Sequence, residues 1–97
     1  MTPVGLTEDA EADAQEASAF YAGRSPGLGA EFTAEMERVL ALLAANPDIG
    51  TPATRELRRL LLRRFPYYLL YRVDEDGIAV LAVGHHSRRP GYWQDRL

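Results

Sequence analysis

Leu57-Arg58-Arg59-Leu60-Leu61-Leu62-Arg63-Arg64-Phe65-Pro66-Tyr67-Tyr68-Leu69-Leu70-Tyr71-Arg72-Val73, followed across Asp74-Glu75-Asp76-Gly77 by Ile78-Ala79-Val80-Leu81-Ala82-Val83-Gly84-His85-His86, decides the fold of this chain. Aromatic, branched and small apolar residues recur here at short intervals, a composition that fits a pleated, half-buried surface. Glu75-Asp76-Gly77 carries the turn chemistry that joins two strands. The run predicts strands over 57–65, 67–74 and 78–84. Pro66 has no N–H to give a ladder, so it marks a bend or bulge between the first two.

Upstream, the period lengthens to that of helices. Val4 and Leu6 suggest a short initial strand, 3–6, and Thr7 can then cap a helix whose first turn holds Glu8, Asp9 and Glu11, acids favoured at the positive end of the helix dipole. Ala10, Ala14, Ala17 and Tyr21 share one face of this helix, 8–22, with Phe20 beside it, and the remaining acids from Glu8 to Asp13 read as its solvated face. Gly23 is expected to end it. Ser25-Pro26 predicts a restart, Ser as N-cap and Pro at the first helical position. Leu28, Phe32, Met36, Val39, Leu40 and Leu43 then recur every three or four residues, giving a helix over 26–45 with Glu31, Glu35, Glu37 and Arg38 on its other faces. Asn46-Pro47 stops it, and 47–52 reads as a loop. So short a link between the helices predicts an antiparallel hairpin. The fold class is α+β: an N-terminal strand, a helical hairpin on one sheet face, then an antiparallel meander. Residues 85–97 form a polar tail with arginine and aromatics.

The totals narrow the possibilities. Ninety-seven residues, 46% of them hydrophobic, are expected to form one domain, 1–97, with a small core. The absence of Cys removes disulfides, thiolate metal sites and thiol nucleophiles, and favours a reducing compartment, the cytoplasm. The acidic N-terminal stretch does not resemble a leader, and no apolar run suits a membrane span. A net charge of −3 conceals a split: residues 1–50 carry nine acids and two Arg, residues 51–97 nine Arg and five acids. No Lys is present, so the basic half offers planar, bidentate donors to any anion it meets.

Several side chains in that half are candidates for binding. Arg58, Arg59, Arg63 and Arg64 suit an acidic partner, phosphate or an antagonist's carboxylates, or else they are the solvated ends of strand residues; neighbours on a strand face opposite ways, so each pair has one member on each face. Tyr67 and Tyr71, sharing a face with Leu69 and Val73, read as core, and Tyr68, with Leu70 and Arg72, as the exposed ring. Tyr92 and Trp93, flanked by Arg88, Arg89 and Arg96, have the composition of a binding hot spot, the alternative being a tail that folds its Trp back onto the domain. His85 and His86 titrate near neutrality but point to opposite faces, so they do not converge on a metal ion, and no cofactor is implied.

Element order and local strings together resemble the RelE/ParE family, the toxin halves of type II toxin–antitoxin modules. The strings are Leu6-Thr7 with the acidic run Glu8-Asp9-Ala10-Glu11-Ala12-Asp13, Arg24-Ser25-Pro26-Gly27-Leu28-Gly29, Asn46-Pro47, Leu60 through Val73, and Ala82-Val83-Gly84-His85-His86. The resemblance implies a β-α-α-β-β-β fold and a cognate antitoxin, to which operator binding belongs, so that DNA is met only indirectly. It also implies one of two chemistries. RelE-like members are ribosome-dependent mRNA endonucleases using Lys, Arg and Tyr; ParE-like members lack that set and poison DNA gyrase. An endonuclease must stabilise a phosphorane and move protons at the 2′ and 5′ oxygens. Of the positions this requires, Arg59 fits by charge, whereas Leu61 and Tyr68 stand where cations are expected. Arg88 or Arg89 with Tyr92 could serve near the C-terminus. The two departures favour the ParE-like role, with Arg58, Arg63, Arg64, Tyr68, Arg88, Arg89, Tyr92 and Trp93 as target-binding candidates.

Overall fold

Thr7 caps the first helix as its hydroxyl predicts: Oγ1 accepts from the Ala10 N–H at 3.2 Å. In the computed structural model, which describes residues 1–97, strand β1 (Val4–Leu6) leads into helices α1 (Glu8–Arg24) and α2 (Leu28–Ala45). Strands β2 (Thr51–Pro52), β3 (Arg58–Leu61), β4 (Tyr67–Asp74) and β5 (Gly77–His85) follow, and a 3-10 turn, Gln94–Arg96, lies near the end of the tail. One five-stranded sheet has the order β1-β5-β4-β3-β2. The last four strands form an antiparallel meander, and β1 joins the far side of β5 in parallel, Val4 opposite Ile78. The mixed α+β class and the meander are those expected from sequence.

The helix boundary differs from the sequence reading. The first helix runs through Gly23 to Arg24, and Ser25 closes it by donating its N–H to the Tyr21 carbonyl at 3.2 Å. The second starts at Leu28 with Gly27 as N-cap at φ +82°, a left-handed conformation that glycine adopts without a Cβ penalty. Gly27 rather than Ser25-Pro26 thus sets the turn. Two strand boundaries also move. The strand expected over 57–65 is confined to Arg58–Leu61, because Leu62–Pro66 bends away, the Leu62 N–H returning to the Tyr67 carbonyl. Thr51–Pro52, read as loop, pairs with Arg58–Arg59 as an edge strand, a place where a missing proline N–H is tolerated.

Both sheet faces are covered. On one, the helices bury Phe32, Met36, Val39 and Leu43 against Leu69, Tyr71, Ile78, Val80 and Val83. Tyr21, Phe32 and Phe65 meet with ring centroids 4.8–5.6 Å apart. On the other face the tail folds back, and Tyr92 and Trp93 pack with Leu57, Tyr68, Leu70, Leu81 and Ala82. A β-bulge lets both faces be served: Tyr71 pairs with Val80 and Leu70 with Ala82, leaving Leu81 as an extra residue. Val80 and Val83 consequently face the helices while Leu81 and Ala82 face the tail. No helix is long and apolar enough to cross a membrane.

Candidate functional site

The arginine run folds into two kinds of side chain. Arg58 donates to the Gly50 carbonyl at 2.7 Å and lies 4.0 Å from the Asp48 carboxylate, fastening the loop before β2 to β3. Arg64 donates to Glu31 at 2.6 Å, tying the bend before β4 to α2. These two brace the fold. Arg59, Arg63, Arg88 and Arg89 are exposed and make no ion pair. Arg59 lies 4.7 Å over the Tyr68 ring, and Arg88 4.1 Å over the Tyr92 ring. With Leu61, Tyr68, His86 and Pro90 they line a shallow depression of 290 Å³ on the face away from the helices. Its floor is aromatic, since Tyr68 and His86 lie nearly parallel, 6.3 Å between centroids. Gly84 makes this possible: a Cβ there would come within 2.7 Å of the Tyr68 ring.

Tyr68 is therefore not the exposed ring expected from strand alternation. It is 7% exposed, because the returning tail covers that face. Val73, expected in the core, is exposed instead, one residue before the end of β4. Tyr71 is fully buried as expected, and its hydroxyl donates to the Pro47 carbonyl at 2.7 Å while accepting from the Gly50 N–H. Burial pushes the Tyr71 phenol above its ordinary pKa. Tyr92 and Trp93 are buried, at 8% and 4% exposure, so of the two arrangements open in the sequence the tail takes the folded-back one. His85 and His86 face opposite sides, one against Tyr67, the other against Tyr68.

Two carboxylates that sequence reading left in solvent are central to the geometry. Asp13 accepts from both terminal nitrogens of Arg96 at 2.6 and 3.0 Å, from the Tyr92 hydroxyl at 3.1 Å and from the Val83 N–H at 3.0 Å. Burial and this carboxylate push the Tyr92 phenol well above its usual range. The hydrogen bonds to Asp13 also raise the Arg96 pKa. Glu35, 6% exposed, accepts from Arg38 and from the Arg63 N–H at 2.8 Å. The bond from Arg38 outweighs burial and holds the Glu35 pKa at about 2. Spacing contained both signals: Asp13 is three residues after Ala10 and four before Ala17, and Glu35 stands likewise between Phe32 and Val39.

A second concavity, of 500 Å³, runs between α1 and α2 beside β1, with Leu6, Ala14, Phe32, Met36 and Leu40 among its lining residues and Glu11 and Glu37 as its charged ones.

A helical hairpin on one face of a meander, a tail-covered second face and arginines without ion pairs at its rim define a small α+β fold. The solved structure of the chromosomal ParDE toxin–antitoxin system from P. aeruginosa shares this fold, with a TM-score of 0.77 at 22% identity over 88% of this chain and 96% of that one. Toxin ParE2 of Mycobacterium tuberculosis, in strains CDC 1551 / Oshkosh and H37Rv, is 30% identical over 81 residues, 82% of this chain and 77% of the relative. The family model for the ParE toxin of the type II toxin-antitoxin system parDE matches residues 4–90, and the chain belongs to that family.

Proposed function

We propose that this toxin acts in the cytoplasm by docking on a protein target, DNA gyrase, and that a cognate ParD-like antitoxin silences it by lying across the helical hairpin and sheet. The family match supports the toxin role, and the P. aeruginosa relative's place in a ParDE system supports the ParD-like partner. The observation that carries the choice of mechanism is the state of Tyr92. An endonuclease reading gives this phenol a proton to move, yet its hydroxyl already donates to Asp13 and its pKa is raised by burial, which keeps it neutral and makes it a poor proton donor. Leu61 and Tyr68, where cations are expected for that chemistry, point the same way. Exposed Arg59, Arg63, Arg88 and Arg89 are then the target-facing cations, with Arg58 and Arg64 bracing the strand and bend that carry them.

Induced expression without antitoxin, scored for growth, double-strand breaks and message integrity in the same cultures, tests this reading. Arrest with DNA damage and intact messages is expected. Codon-phased cuts at translating ribosomes would overturn it in favour of the second reading, mRNA endonuclease, which has one observation in its favour: Arg59 and Arg88 line the same depression as Tyr68 and His86. Arg88→Ala with Arg89→Ala is expected to abolish arrest while thermal melting stays close to wild type, because both side chains are exposed and make no ion pair, Arg88 losing only its contact with the Tyr92 ring.

A further inference from the structure

The edge of β5 is only partly covered by a strand. Pairing with β1 ends at Val80, where the carbonyl accepts from the Thr7 N–H. At the bulge and just beyond it, the Leu81 carbonyl and the Val83 N–H are met by side chains. Arg96 Nη1 donates to the carbonyl at 3.1 Å, and the Val83 N–H donates to Asp13 at 3.0 Å. The guanidinium and carboxylate are also paired to each other, so one ion pair closes this stretch of edge and pins the end of the tail to α1.

We propose that residues 88–97 are a latched strap, opening locally while the helices and sheet stay folded, with Asp13–Arg96 as the latch. Three features support local opening. Polar fastening is carried by few residues: the hydrogen bonds that the Tyr92 and Arg96 side chains make to α1 all end on Asp13, and Arg96 adds one bond to the Leu81 carbonyl and a 4.0 Å approach to Asp9. The strap has little internal structure beyond turns and the three-residue 3-10 segment. Trp93 is buried with its indole N–H unpartnered, so closing the strap leaves one polar group unsatisfied and opening relieves it. Local stability follows such features, and weakly fastened segments open below the free energy of global unfolding. Opening would uncover Leu57, Tyr68, Leu70, Leu81 and Ala82 beside Arg59 and would free the Leu81 carbonyl at the sheet edge, while the Val83 N–H stays bonded to Asp13 on α1.

Trp93 is the chain's single tryptophan and reports the strap directly. In wild type, rising denaturant should shift Trp93 emission to the red before far-UV circular dichroism changes. Asp13→Asn keeps an acceptor for the Val83 N–H but removes the charge. It is expected to raise the acrylamide quenching of Trp93 and the rate of chymotryptic cleavage at Tyr92 and Trp93 by about tenfold, the scale of one lost charge-assisted bond. Its circular dichroism midpoint should stay near wild type. Arg96→Gln provides the same test from the other partner and leaves α1 intact if Asp13→Asn folds poorly. Coincident fluorescence and circular dichroism transitions in wild type and in Arg96→Gln would overturn the proposal, because the tail would then be an inseparable part of the global fold.

Discussion

The two faces of the sheet are closed in different ways. The helix face is covered by two helices of 17 and 18 residues whose apolar stripes are set by sequence period, and its core includes Phe32, Val39, Leu43, Leu69, Tyr71 and Val80, each 1% exposed or less. The tail face is covered by about ten residues without regular structure beyond one 3-10 turn, and its largest contributors, Tyr68, Tyr92 and Trp93, are 4–8% exposed. A helix brings its own backbone hydrogen bonds to an interface, so apolar contact alone can hold it. A tail has no such ladder and needs a side-chain anchor, here Asp13–Arg96. The lesson is that equal coverage need not mean equal stability, and that the weaker cover lies beside the exposed arginines.

Substitutions can test this contrast. Phe32→Ala removes a ring at the centre of the helix-face aromatic cluster and should cost about 4 kcal/mol, seen as one cooperative loss of all structure in a thermal melt. Glu35→Gln should cost about 2 kcal/mol at neutral pH by weakening its pairing with Arg38 and its hold on the Arg63 N–H. The sign is set by a folded pKa below the ordinary carboxylate value of 4.5: the contribution is complete above about 4.5 and is lost as pH falls through about 2, so the variant's acid limb should be flatter there. Tyr71→Phe, which leaves the Gly50 N–H and Pro47 carbonyl without the hydroxyl, should cost about 1.5 kcal/mol in denaturant titrations. Trp93→Ala should cost least, about 1 kcal/mol, well below the usual cost of deleting a buried indole, because local opening dissociates the tail from the global transition and an unpartnered N–H is removed with the ring. A loss as large as that of Phe32→Ala would erase the distinction between the faces.

Much of this arrangement was legible residue by residue. The three-and-four spacing from Phe32 to Leu43 specified the helix and its buried face, Glu75-Asp76-Gly77 the hairpin, and Pro66 the bend, because each is a local consequence of backbone geometry. Strand alternation was less dependable. It placed Tyr68 in solvent because it can say which residues share a face but not what covers that face. The bulge at Leu81 also shifts alternation by one residue, and no glycine or proline at that position marks it. Of the candidate arginines, Arg58 and Arg64 make contacts that the sequence did not foretell, because their partners Gly50 and Glu31 are distant in sequence.

The sequence by itself determined the α+β class, the helical hairpin, the antiparallel meander and the family, since these rest on period, turn chemistry and the order of local strings. Tertiary structure alone decided that β1 lies parallel to β5, that the tail returns to bury Tyr92 and Trp93, and that Asp13 and Glu35 serve as anchors rather than as solvated charge. The physical reason is distance along the chain. Asp13 meets Arg96 across 83 residues and Glu35 meets the Arg63 N–H across 28, and a carboxylate's partner at such separation is set by the packing of whole elements, not by its neighbours in sequence.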